Sequence, residues 1–217
     1  MYSRLKLLLK FFIMQNNAAK SALIEAGRWV SQKGWVPATG GNFSIKTETG
    51  FVVTASGYDK GHLAPEHFLE LNQQGEITVG NGKPSAETAL HLKLYQLQPD
   101  TQCVLHTHSV AATVLSRFIK GDSLYIQGYE MQKSLRGISS HENTLKIAIF
   151  DNDQDIDRLA ELVAQRHQSE PVVHGVLIRG HGLYAMGNSV AETRRHIEGL
   201  EFLFACELER IKLESAL

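Results

Sequence analysis

The sequence predicts a single α/β domain in which a mostly antiparallel central sheet is covered by helices. Three observations lead there. The 217-residue chain is long enough for one full domain, and a chain of this size buries roughly 70% of its unfolded surface. Helical periodicity alternates with short β-branched runs along the chain, and no repeat, linker or low-complexity stretch divides it. Several of the strands follow one another without the intervening helix that a parallel crossover requires.

From Asn17 to Gly34 the apolar positions Ala22, Leu23, Ala26, Trp29 and Val30 recur at helical spacing, and Gly34 supplies a stop. Ala38 to Lys46 (ATGGNFSIK) is a glycine-rich turn running into a strand, and Phe51 to Gly57 is a second strand ending at Ser56-Gly57. Pro84-Ser85 opens a helix that runs through Tyr95. Cys103 to His108 (CVLHTH) reads as a buried strand, followed by a helix over 109–118. A strand at Ser123 to Gln127, a short helix at Met131 to Leu135, a strand at Leu145 to Phe150 and a helix from Ile156 to His167 come next. Val172 to Ile178 is β-branched and apolar, Leu183 to Met186 continues after the break Gly180-His181-Gly182, and a long helix spans Val190 to Lys212. Ser189 and Glu192 form a capping-box pattern at its start.

The first residues read differently. Met1 to Met14 (MYSRLKLLLKFFIM) is basic at Arg4, Lys6 and Lys10, like the start of a secretory leader. Its uninterrupted apolar runs are only Leu7 to Leu9 and Phe11 to Met14, and Gln15, Asn16 and Asn17 follow where small residues would mark cleavage. Residues 1–14 are therefore expected to be an N-terminal extension, disordered, a frayed helix or upstream of a true start at Met14, with 15–217 forming the folded domain. No stretch reaches the ~20 apolar residues of a membrane span.

With 22 Lys and Arg against 23 Asp and Glu, the formal net charge is −1, which excludes a strongly basic nucleic-acid binder and an acidic tail alike. Two cysteines, Cys103 and Cys206, make no disulfide framework, read as core thiols and fit a reducing, cytoplasmic setting.

His106 and His108 lie at i, i+2 on the expected strand, a spacing that turns both imidazoles to one face. His181, flanked by Gly180 and Gly182, sits on a turn free to aim its ring. Three imidazoles suit Zn²⁺ with a fourth position open for substrate, whereas a closed structural site would want four ligands and usually thiolates.

The motifs ATGGNFSIK, TASGYDKG, KPSAETALH, VLHTH and LIRGHGLYAMG, spread between about Ala18 and Lys212, give the chain a resemblance to the class II aldolases, zinc-dependent aldolases and epimerases of sugar phosphates. VPATGGNFSIK, VTASGYDK, KPSAETALH, QGYEMQKSLRG and GLEFLF look most like the branch that dehydrates a methylthio-substituted ketopentose phosphate in methionine salvage. That resemblance implies a class II aldolase-like fold, one zinc ion per subunit on His106, His108 and His181, and a homotetramer with sites at subunit boundaries. The long helix ending ELERIKLESAL supplies a surface that could pack on a neighbour. It also implies Glu130 as the acid/base, with Asn42, Ser56, Gly57 and Ser85 in phosphate-binding turns. Lys60 could add a charge there, although a solvated surface lysine is the simpler reading of it. Glu87, in Pro84-Ser85-Ala86-Glu87, is the rival acid/base, because the aldolase members carry theirs at that position; it could equally orient substrate, hold resting zinc or favour a helix dipole.

Two positions depart from the family pattern. Gly40 stands where relatives often carry serine, and Gly180 where they often carry asparagine. The first removes a hydroxyl, leaving backbone donors to serve. The second removes an amide beside His181 but keeps the ligand.

An aldolase or 4-epimerase acting on another sugar phosphate is the alternative, since metal-assisted removal of a proton beside a carbonyl serves all three reactions. A non-catalytic scaffold, as in the adducin relatives, would be favoured by loss of the histidines, and all three are present.

Overall fold

The computed structural model describes residues 2–216, and side chains from Leu7 onward except Leu9. One nine-stranded sheet runs through the molecule. Its strands are β1 (Asn42–Thr47), β2 (Gly50–Thr54), β3 (Phe68–Leu71), β4 (Ile77–Val79), β5 (Cys103–Thr107), β6 (Ser123–Ile126), β7 (Leu145–Phe150), β8 (Gly175–Ile178) and β9 (Gly182–Gly187). Their spatial order is β4-β3-β2-β1-β5-β9-β8-β7-β6. Among the described residues every pairing is antiparallel except β7 with β8, whose connection carries a helix as a parallel crossover requires. The expected mostly antiparallel sheet is thus present. Two strands, β3 and β4, were not expected from the sequence.

Five helices cover the sheet: α1 (Tyr2–Gln32), α2 (Thr88–Leu97), α3 (Val110–Phe118), α4 (Ile156–Ser169) and α5 (Val190–Glu214). The alternation along β5 explains the layering. Cys103 and Leu105 face a core with Leu23 and Ala26 of α1, Leu115 of α3 and Leu200 and Phe204 of α5. Val104, between them, faces Leu90 and Leu94 of α2 and Leu159 and Val163 of α4. α3, α4 and α5 begin on side-chain caps from Ser109, Asp155 and Ser189.

α1 extends through the position near residue 14 without a break. Leu7, Leu8, Phe11, Ile13 and Met14 are exposed. Gln15 Oε1 accepts from Glu48 N–H at 3.3 Å, and the side chains of Asn16 and Lys20 reach Glu70 of β3 at 2.6 Å each. Among the described residues no helix is long and apolar enough to cross a membrane.

Several elements differ in detail from expectation. α2 starts at Thr88 rather than at Ser85, because Ser85 and Glu87 form a turn in which Glu87 N–H donates to Ser85 Oγ (3.3 Å). β8 starts at Gly175 rather than Val172, since His174 is turned inward to the Arg136 carbonyl (2.7 Å). The short helix near 131–135 is a 3-10 segment, Glu130–Ser134. Cys103 is buried, as a core thiol should be, whereas Cys206 is only half-buried.

Candidate active site

The C-terminal end of β5, the turn before β9 and the turn before α2 meet at one place. His106 is on β5 and His108 just beyond its end, while His181 caps the β8–β9 connection. Gly180 takes φ +68°, and a Cβ on Gly182 would lie 2.0 Å from the Thr107 carbonyl oxygen. The glycines around His181 therefore let the turn fold back onto β5 itself.

The three Nε2 atoms converge. His108 Nε2 lies 2.7 Å from His106 Nε2, and His181 Nε2 lies 3.2 Å from His106 Nε2 and 3.1 Å from His108 Nε2. Two ligand nitrogens on a tetrahedral zinc at ~2.0–2.1 Å stand about 3.3 Å apart, so the cluster has the dimensions of three corners of such a site. His106 Nδ1 contacts the Leu183 carbonyl at 3.0 Å. A carbonyl only accepts, so Nδ1 carries the proton and Nε2 presents its lone pair to the centre. Burial, and next the neighbouring His181, push the His108 pKa down to about 4, so its imidazole is neutral at physiological pH. Burial likewise holds His106 well below its ordinary value, against the pull of Glu87. This donor set fits a divalent transition metal such as zinc.

Glu87 closes one side of the cluster. Its Oε1 is 3.0 Å from His181 Nε2 and its Oε2 is 3.8 Å from His106 Nε2. Asn42 holds it from β1, donating Nδ2 to Glu87 Oε2 and, at 3.3 Å, to Ser85 Oγ. Burial alone would raise the Glu87 pKa. The His181 hydrogen bond, the electrostatic pull of His106 and His181 and the Asn42 amide outweigh it and hold the carboxyl well below its ordinary value.

Asn42, Ser56, Gly57, Lys60 and Ser85 surround one pocket of about 200 Å³ that Glu87 and His108 also line. Lys60 is 2% exposed, not the solvated residue the sequence suggested. Its Nζ donates to the carbonyls of Thr39 (2.7 Å) and Tyr58 (2.6 Å), tying the two glycine-rich turns together. The Ala38-Thr39 turn has positive φ at both residues (51° and 64°), a strained arrangement for non-glycine backbone. Gly40 presses against His108: a Cβ there would be 2.7 Å from Nδ1. The pocket opens past the histidines into a cleft of about 660 Å³ whose far wall is the β7–α4 connection, Asn152 to Gln154 and Ile156.

Glu130 is not brought to this cluster within the chain. Its side chain is 72% exposed and pairs with Lys133 and, at 3.5 Å, His141. The segment beneath it is firmly held. Gln132 is buried and donates to the Asn143 carbonyl (2.6 Å), while Arg136 N–H donates to His196 Nε2 (3.2 Å) and His174 Nε2 donates to the Arg136 carbonyl (2.7 Å).

One residue at the site escaped the sequence reading. Tyr184 is the direct cross-strand partner of His106, is 1% exposed, and stacks its ring on the imidazole at 3.8 Å and 14°. Burial, with the neighbouring Glu87 adding to it, pushes its phenol pKa well above the ordinary value. In sequence it is one apolar-looking position in LYAM, and only the register of β5 against β9 exposes its role.

The comparisons with known proteins agree with this geometry. Residues 21–208 match the model of the class II aldolase and adducin N-terminal domain. A methylthioribulose-1-phosphate dehydratase from Pseudoalteromonas translucida (strain TAC 125) is 64% identical over 201 residues, 93% of this chain and 95% of the relative. A dehydratase of the same name from Yersinia pestis (strain Pestoides F) is 54% identical over 91% of this chain and 89% of the relative. Among solved structures, l-fuculose-1-phosphate aldolase from Thermus thermophilus superposes with a TM-score of 0.74 at 25% identity, covering 92% of this chain and 98% of that one. A family match over residues 21–208 and a relative 64% identical over 93% of the chain make it a member of the class II aldolase and adducin N-terminal domain family.

Proposed function

We propose that the chain is a hydro-lyase of methionine salvage: it removes water from 5-methylthioribulose 1-phosphate to give 2,3-diketo-5-methylthiopentyl 1-phosphate. The observation that carries this reading is the convergence of His106, His108 and His181 beside the half-buried Glu87, in a chain 64% identical to a dehydratase of that substrate over nearly its whole length. One zinc ion per subunit is held by the three histidines, within a catalytic unit of residues 15–217 in the cytoplasm. When bound, the ion polarises the substrate's C2 carbonyl and so acidifies the C3 proton.

The chain's own groups supply the rest. Asn42, Ser56, Gly57 and Ser85 offer donors around the phosphate pocket, and the Lys60 ammonium adds positive charge to its wall. A carboxylate takes the C3 proton, the C4 hydroxyl leaves with a proton as water, and the resulting enol gains a proton at C4 to become the diketone. Glu130 carries this acid/base role, and Glu87 orients the substrate beside the metal. Glu130 projects from a segment pinned on both sides of Arg136, which suits it to enter the site of an adjacent subunit in a homotetramer.

The second reading, an aldolase or 4-epimerase on another sugar phosphate, is favoured by the position of Glu87 against the histidines and by the fold shared with the fuculose-phosphate aldolase. Separate incubations with methylthioribulose 1-phosphate and l-fuculose 1-phosphate decide between them. The proposal requires the intact diketone from the first and no carbon–carbon cleavage of the second.

A further inference from the structure

We propose that Tyr184 is a positioning residue of the metal centre, whose ring fixes the His106 imidazole. This rests on the reading of the histidine cluster as a metal site. His106 and Tyr184 are Cα partners in the β5–β9 ladder, so their side chains leave the sheet side by side on the α2 face. Their rings lie nearly parallel, 14° apart with centroids at 3.8 Å. The other ring nitrogen of His106 is held by the Leu183 carbonyl. One strand thus locks the imidazole twice, by a backbone acceptor at Nδ1 and by an aromatic plane on its face, leaving Nε2 a single direction.

Behind the pair the interior is polar and closed. His91 packs edge-on to Tyr184 at 5.6 Å, its Nδ1 is 2.7 Å from Ser44 Oγ, and that oxygen is 2.8 Å from the Tyr95 hydroxyl. His91 and Tyr95 follow Glu87 at four-residue intervals on the same face of α2. His91 Nε2 is buried without a hydrogen-bond partner. Tyr184, 1% exposed, is itself packed between His106 and this polar interior.

Two substitutions test the role of the ring. Tyr184→Phe keeps it, so the zinc dissociation constant, measured by competition with a chromophoric chelator, should stay within about twofold of wild type. Tyr184→Leu removes the ring and should weaken zinc by about 10-fold or more, the usual consequence of losing a partner that orients a metal-bound histidine. Zinc binding unchanged in Tyr184→Leu, or weakened as much in Tyr184→Phe, overturns the proposal. If Tyr184→Leu does not fold, Tyr184→Met, which fills more of the space without an aromatic plane, takes its place in the same competition. Should wild-type protein bind zinc but leave methylthioribulose 1-phosphate untouched, the functional reading fails, and the zinc-affinity comparison still judges Tyr184.

Discussion

His181 Nε2 lies 3.0 Å from Glu87 Oε1, which joins a glycine-flanked turn late in the sequence to a proline-serine turn far upstream. The contact makes Glu87 part of the metal cluster's immediate surroundings without requiring it to move a proton. Glu87→Gln keeps size and the Asn42 contact while removing the charge. It should retain zinc and weaken substrate binding at least as much as turnover, read as a rise in KM that matches or exceeds the fall in kcat.

Glu130→Gln should behave in the opposite way. The residue is 72% exposed and bonded only to surface groups within its own chain, so fold and zinc content should be unchanged. Loss of a general acid/base should lower kcat by about 10²- to 10⁴-fold. Both variants need to be compared at saturating zinc, so that metal loss is not read as lost proton transfer. If Glu130→Gln turns over near the wild-type rate while Glu87→Gln is inactive, the acid/base role passes to Glu87 and the aldolase-like arrangement is the better description.

Subunit mixing tests where Glu130 acts. In a homotetramer with sites at subunit boundaries, Glu130→Gln and His181→Ala protomers are each inactive alone. Hybrids refolded from both should regain activity, because some boundaries then pair an intact histidine cluster with an intact Glu130. Light scattering that shows only monomer at full activity would contradict this arrangement.

Glu201 gives a stability prediction with a definite sign. It is buried behind the β5–α3 corner, accepting from Thr107 Oγ1 at 3.4 Å, and burial pushes its pKa up to about 7 against the opposing donors Ser109 and Thr107. A carboxyl whose folded pKa exceeds its unfolded value keeps its proton better in the native state, so native protein binds more protons and stability falls as pH rises between about 4.5 and 7. Glu201→Gln removes this penalty. Relative to wild type it should gain up to about 3 kcal/mol between pH 5 and pH 8 in denaturant unfolding at fixed zinc. A difference independent of pH would count against the assignment.

Gly182→Ala should damage the fold and the site together. Its Cβ would stand 2.0 Å from the Thr107 carbonyl oxygen, which only separation of β5 from β9 relieves. An overpacking penalty of about 1–3 kcal/mol is expected, with weaker zinc binding because His106 and His181 lie on the two separated elements. Thermal unfolding and zinc competition on the same sample check both.

Much of this was legible in the sequence because the signals were local. The His106-x-His108 spacing and the glycines around His181 foretold the cluster, and short apolar runs that follow one another without an intervening helix foretold the mostly antiparallel sheet. What stayed hidden depended on distant pairing. β3 and β4 have four and three residues, too short for periodicity to speak, and β4 is wholly exposed. Ser85 looked like a helix start, but its hydroxyl serves Asn42 and the Glu87 amide, delaying α2. Lys60 looked like a surface cation, and no local pattern announces that two turn carbonyls bury it. Tyr184 becomes meaningful only once β9 is laid beside β5. Glu130 was found through resemblance alone, and an exposed carboxylate beside Lys133 has no local mark of function.

Zinc titration of metal-free protein against methylthioribulose 1-phosphate, with mass detection of the diketone, tests the central claim most directly. Water loss from the substrate should rise in proportion to added zinc and level off at about one equivalent per chain, and His181→Ala should stay flat throughout. Full water-eliminating turnover by the metal-free protein, or zinc-saturated protein that leaves the substrate intact or splits it into two carbon fragments, would contradict the account.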